Sequence, residues 1–142
     1  MATTTQAPAT INAAVIGKNN SPQISVLGTF GNQVSVMVYD PSEGALTDKD
    51  VSYYDKDLEK VLPVVYKCPI VPAKGYKIDL TLDLIPSGDP TTQVIAAQVT
   101  IDQMPDEGDQ PVQIGNGFFQ FAVTAPATPD DDSIQPVTVV FS

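Results

Sequence analysis

Carboxylates are the only side chains present in numbers that could do chemistry. They fall in three clusters: Asp130-Asp131-Asp132, Asp106-Glu107 with Asp109, and Asp48/Asp50 with Asp55/Asp57. Calcium is the ion such clusters suit, because it takes roughly six to eight oxygen ligands from loop carboxylates and carbonyls. None has the EF-hand spacing with its glycine, and Lys49 and Lys56 stand inside the third cluster. Solvated loops are therefore the expected reading of all three. Asp130, Asp131 and Asp132 make the best metal candidates, and Asp106 and Asp109 come next. The alternative function this carries is a calcium-dependent, lectin-like carbohydrate-binding domain. Paired carboxylates also run glycoside hydrolysis. Sugar sites add aromatic platforms and polar hydrogen-bonding side chains, however, and the chain has no Trp, Arg or His.

The absence of histidine removes the most chemistry. Ser-His-Asp and Cys-His catalysis, histidine zinc sites and imidazole bases are all excluded. Cys68 is the single cysteine, so it makes no intrachain disulfide and lacks its usual activating base. Lys67 is its neighbour, but successive side chains of a strand point to opposite faces, so Cys68 is expected to be a buried structural thiol. No Gly-x-Ser-x-Gly elbow, phosphate loop or dinucleotide fingerprint occurs. The expectation is a protein that is not an enzyme and holds no cofactor.

Charge narrows the partners. Every basic residue is a lysine, the last of them Lys77, and up to that point seven acids offset seven lysines. The remainder is acidic only and carries the net charge of −10. Nucleic-acid affinity comes chiefly from Lys and Arg displacing counterions from phosphates, and anionic membranes likewise attract basic surfaces. Neither a nucleic acid nor a membrane is an expected partner. Residues 1–10 have no basic segment followed by an apolar one, so no secretory signal is read there. No apolar run approaches the ~20 residues of a membrane-spanning helix. The expected localisation is that of a chain made in the cytoplasm.

The elements that must position these residues are strands. From Tyr76 to Leu84, Tyr76, Ile78, Leu80, Leu82 and Leu84 alternate with Lys77, Asp79, Thr81 and Asp83. That period of two is a strand with one face in a core and the other in water. Residues 23–30 and 33–39 alternate as well, and Gly31-Asn32 between them predicts a β-hairpin. Residues 45–57 look loose, and Leu58, Val61 and Leu62 behind Asp57 predict a turn or two of helix. Residues 64–67 form a short strand that Pro63, Pro69 and Pro72 confine to an edge. Further strands are expected over 11–16, 92–102, 112–124 and 136–141. Asn116-Gly117 fits either a hairpin or a bulge within one long strand. The result is an all-β chain, an antiparallel sandwich of about eight or nine strands, immunoglobulin-like or jelly-roll. A flexible arm over residues 1–10 precedes one sandwich domain over 11–142.

Several outward strand positions are apolar: Ala14, Ile16, Leu27, Met37, Ile85, Val94, Phe118 and Val140. Together they predict subunit contact. Met37 and the pair Tyr53-Tyr54 are the expected contact residues, since tyrosine suits a half-wet interface. A small β-sandwich with a Thr/Ala/Pro-rich arm and little reactive chemistry resembles, in architecture and without any motif, bacteriophage coat and decoration modules. The resemblance implies a virion-associated structural protein whose acidity faces away from the genome. The primary expectation is a non-enzymatic assembly module acting by self-association or by docking on a larger protein assembly.

Overall fold

A computed structural model describes residues 3–43, 46–55, 57–89, 91 and 93–142, with backbone alone for 46–51 and 53–55. The strands are β1 (Thr4–Thr5), β2 (Ala9–Ala13), β3 (Gln23–Gly28), β4 (Gln33–Tyr39), β5 (Leu46–Asp55), β6 (Lys60–Leu62), β7 (Val64–Lys67), β8 (Lys77–Ile85), β9 (Val94–Gln103), β10 (Val112–Ala122) and β11 (Ser133–Phe141). They form two packed, mostly antiparallel sheets. The larger, sheet A, runs β1-β11-β8-β4-β5-β6, with β2 also on β11; the smaller, sheet B, runs β10-β9-β3-β7. The expected all-β sandwich is thus present. Strand β8 lies between β11 and β4 and buries Ile78, Leu80, Leu82 and Leu84, as its alternation predicts. Those side chains share one core with Ile24 and Val26 of β3, Val34 and Val36 of β4, Val99 and Ile101 of β9, and Phe141 of β11. Strand β7 is an edge, as its prolines require.

The hairpin expected at Gly31-Asn32 does not form. Strand β3 pairs with β7 and β9 in sheet B, whereas β4 pairs with β5 and β8 in sheet A. The connection crosses from one sheet to the other, and both strands turn their alternate apolar residues into the shared core. Asn32 holds the crossover. Its buried amide donates to the Ala96 carbonyl and accepts from the Ala96 N–H, both at 3.0 Å, so it acts as one more backbone unit beside β9. Gly31 takes the left-handed φ of 73°. At Gly28 a Cβ would meet the Asn32 carbonyl oxygen at 2.4 Å.

Other departures come from backbone pairing that side-chain patterns do not display. Where a flexible arm is expected over residues 1–10, β1 and then β2 run parallel to β11, with Thr4 opposite Ser133 and Ala9 opposite Val137. The Gln135 side chain donates to the Ala7 carbonyl between them, at 2.9 Å. Residues 46–55 are a ten-residue strand rather than a loose segment. No helix follows it: β5 turns back into β6, pairing Asp55 with Lys60, and Glu59 in the turn has a φ of 52°. Strand β10 is a single strand in which Asn116 and Gly117 pair regularly with Thr100 and Val99, so neither a hairpin nor a bulge forms there; the register slips two residues earlier, between Gln113 and Gly115.

Candidate functional site

The most developed polar cluster is centred on Asp40, where β4 ends in the turn 40–43. Pro41 sets the turn, and the Glu43 N–H donates to the Asp40 carbonyl at 2.9 Å. The Asp40 side chain is 1 % exposed and collects four donors. Tyr66 of β7 donates to Oδ2 at 2.6 Å; Tyr76, the Ser42 N–H (2.9 Å) and the Ser42 hydroxyl (2.8 Å) donate to Oδ1. Burial pushes the carboxyl pKa up, but these hydrogen bonds outweigh it and hold Asp40 below the ordinary carboxylate value. The same contacts, after burial, raise both tyrosines. Cys68 lies nearby, 4 % exposed, and burial with the neighbouring Asp40 charge pushes its thiol up to about 12. A buried thiol so shifted is protonated at neutral pH, as a structural cysteine is. The cluster ties the end of β4 to β7 and to the start of β8. It is a fastening with every acceptor filled. Only the Asp-Pro-Ser turn marked it in the sequence.

No protein-family model, curated protein or solved structure matches the chain. The acidic loops therefore rest on their own geometry. Asp106 accepts the N–H groups of Lys18 and Asn19 at 2.9–3.1 Å, which holds its carboxyl below the usual range. Asp131 accepts the Thr128 N–H at 2.8 Å, and Asp132 accepts the Thr3 hydroxyl at 2.6 Å. These are loop caps of the ordinary kind. Asp109 and Asp130 are exposed. The two loops sit at opposite ends of β10, whose eleven residues separate them by roughly 35 Å. No group of three His, Cys, Asp or Glu converges among the described residues. The side chains of Asp48, Asp50 and Asp55 lie outside the described residues. A groove of about 730 Å³ opens beside Thr4, Gln6, Pro126, Asp130 and Asp131, and the Asp131 carboxylate on its wall is already engaged by the Thr128 N–H.

One carboxylate departs from the sequence pattern. Asp83 is on the outward side of β8, yet it is only part-exposed, and no donor reaches its buried Oδ1. Burial, and then the facing carboxyl of Asp132, push its pKa up to about 7. Period-two alternation could not show this, because the covering groups arrive from the loop before β11. The sign follows from the raised value. Asp83 favours folding below the unfolded carboxylate pKa of 3.8, and that contribution is lost as pH rises to about 7. Asp83→Asn should therefore raise the thermal midpoint at pH 8 by about 3 °C, on the order of 1 kcal/mol after allowing for its partial exposure. The gain should shrink towards pH 4. Midpoints measured across that range that run parallel for the two proteins would contradict the pairing.

Of the expected contact residues, Met37 is half-buried on the outer face of sheet A. The side chains of Tyr53 and Tyr54 lie outside the described residues; their backbone belongs to β5. Ala14, Ile16 and Phe118 are exposed, and Leu27, Ile85, Val94 and Val140 are half-buried. The sheets differ in what they turn outward. Sheet A presents Lys77, Asp79 and Asp83 from β8 alone. Sheet B presents, in register, the rows Leu27–Gln98–Phe118 and Val65–Ser25–Thr100–Asn116, with Val94 beside Ala122. Its charges, Lys67 and Asp102, are confined to the row of Gln23. Phe118 is 49 % and Val65 44 % exposed on this face. Sequence reading singled out Phe118 and Leu27 individually. That they share one row follows only from the register of β3, β9 and β10.

Proposed function

We propose that this protein is a non-enzymatic structural module that works through protein–protein contacts, by self-association or within a larger assembly. The observation that carries the reading is the neutral outer face of sheet B in a chain of net charge −10. Burying unpaired carboxylates costs several kcal/mol each, so an acidic protein associates through whatever surface is free of them. That face also exposes a phenylalanine on β10 and a valine on β7, at its two margins, and exposed apolar side chains among uncharged polar ones are what interaction surfaces offer. The acidic loops at the sandwich ends remain in solvent, where their charge keeps assemblies soluble. The surface of a virus particle, away from its genome, is a setting this charge distribution suits.

Analytical ultracentrifugation over a concentration series, with and without calcium and chelator, tests the reading. An oligomer indifferent to chelator supports it. A monomer at every concentration that calcium stabilises, and that retains a sugar, would overturn it in favour of the lectin.

A further inference from the structure

The sandwich has four sheet edges, and three of them carry devices that prevent pairing with another chain. Strand β6 has three residues, opens with Lys60 and stops at Pro63. Strand β7 has four, ends at Lys67 and is bracketed by prolines. The N-terminal edge is the two-residue β1, then Pro8, then β2, whose far end is held against β10 by the Ala14 N–H bond to the Ile114 carbonyl. Strand β10, at eleven residues the longest in sheet B, is different. Its first half is covered. The Ala14 N–H donates to the Ile114 carbonyl at 3.1 Å, and β2 approaches so closely that a Cβ at Gly115 would meet the Asn12 carbonyl oxygen at 2.8 Å. Its second half, residues 118–122, has no proline, no charge and no bulge. Among the described residues no strand pairs with its outer side.

The direction of its free groups follows from one hydrogen bond. The Val123 N–H donates to the Gln93 carbonyl at 2.9 Å, so odd-numbered residues of this stretch face β9. In an antiparallel ladder the alternate residues then point the other way. Phe118, Gln120 and Ala122 aim their N–H and C=O groups out of the sheet. A two-fold axis through Gln120 sets Phe118 of one copy opposite Ala122 of the other, and Gln120 opposite Gln120. All three pairs are then of the hydrogen-bonded kind. The side chains are self-complementary too. Phe119-Gln120-Phe121 reads the same in both directions, so each Phe119 lies opposite a Phe121 on the core side. Both rings are now half-buried at the open margin of the core, and aromatic cross-strand pairs stabilise such seams. On the outer face the small Ala122 leaves room for the exposed Phe118.

We infer that two copies of this chain join through antiparallel pairing of residues 118–122 of β10, making one continuous eight-stranded sheet. This rests on the protein–protein reading above and names its partner. A second copy is favoured over an unrelated peptide by the self-complementary register and by charge. Residues 112–129 contain no charged side chain, so two acidic molecules meet where neither carries charge. Pairing uses up the one unguarded edge, so association closes at a dimer. The seam is short, and binding in the micromolar range is expected.

Sedimentation should show the 15.1 kDa chain doubling in mass as concentration rises through that range. Gln120 is exposed, and its N–H faces outward, so substitutions there spare the bonds to β9. Gln120→Lys sets like charges on the axis and should weaken association at least tenfold, as should Gln120→Glu; an equimolar mixture of the two should restore the dimer. Circular dichroism of each variant confirms folding. A dimer that neither variant weakens, or a mixture that stays monomeric, overturns pairing through β10 while leaving assembly by another surface intact. A wild-type monomer throughout overturns the pairing, and the broader reading is then judged separately by whether the chain binds neighbouring proteins of its own particle or complex.

Discussion

Leu82→Ala is expected to destabilise the protein by about 2–5 kcal/mol, lowering the thermal midpoint by roughly 10 °C. Leu82 is 0 % exposed at the middle of β8, opposite Val36 of β4 on one side and Gln135 of β11 on the other. Its side chain points into the space between the sheets, where strands on both sides hold the backbone and prevent the gap from closing. The cost therefore combines lost burial with a retained cavity. Against a total stability of ~5–15 kcal/mol for such a domain, this is a large fraction. Asp79→Asn, three residues earlier on the other side of the same strand, should change stability by no more than about 0.5 kcal/mol. Asp79 is exposed and accepts only the Thr138 hydroxyl, at 2.8 Å. Urea titration of both variants checks the pair. A larger loss at Asp79 than at Leu82 would mean that β8 faces the other way.

What was legible in the sequence was whatever one side-chain pattern encodes. Strand β8 announced itself because five apolar residues at period two suit no helix, and β7 because prolines restrict it to an edge. The β3–β4 hairpin failed because alternation shows that a strand has a core face without showing which sheet it joins. That choice is made by Asn32 hydrogen-bonding Ala96, 64 residues away. Strand β5 was hidden by its composition: Asp48, Lys49, Asp50 and Asp55 read as a loop, yet β4 and β6 hydrogen-bond it on both sides. The N-terminal residues were missed for the same reason, since their pairing with β11 is a backbone matter. The uncharged stretch from 112 to 129 is visible in the sequence because it needs no register to be seen. Register was nonetheless required to show that the uncharged positions gather on sheet B and that β10 has a free margin.

Asp40→Ala should cost about 3–5 kcal/mol, the effect of removing an acceptor that several buried donors share. The Tyr66 hydroxyl, the Tyr76 hydroxyl and the Ser42 N–H would lose their common partner, at a point where the end of β4, β7 and the start of β8 meet. Asp40→Asn should cost roughly half as much. The amide keeps one oxygen for Ser42, and the Tyr66 hydroxyl can rotate to accept from its NH₂, so what disappears is chiefly the charge-assisted strength. Tyr66→Phe alone should cost about 1–2 kcal/mol, and in the Asp40→Ala background much less, because the two residues share one bond. The pH dependence follows from the lowered carboxyl pKa. The stabilisation is present above the unfolded value of 3.8 and is lost as pH falls through the lower folded value. The wild type should therefore lose stability steeply below about pH 4, and Asp40→Asn should flatten that limb. Chemical denaturation from pH 2 to 7 reads both effects. An Asp40→Ala loss under ~1 kcal/mol, or an acid limb unchanged in Asp40→Asn, would mean that the cluster fastens nothing.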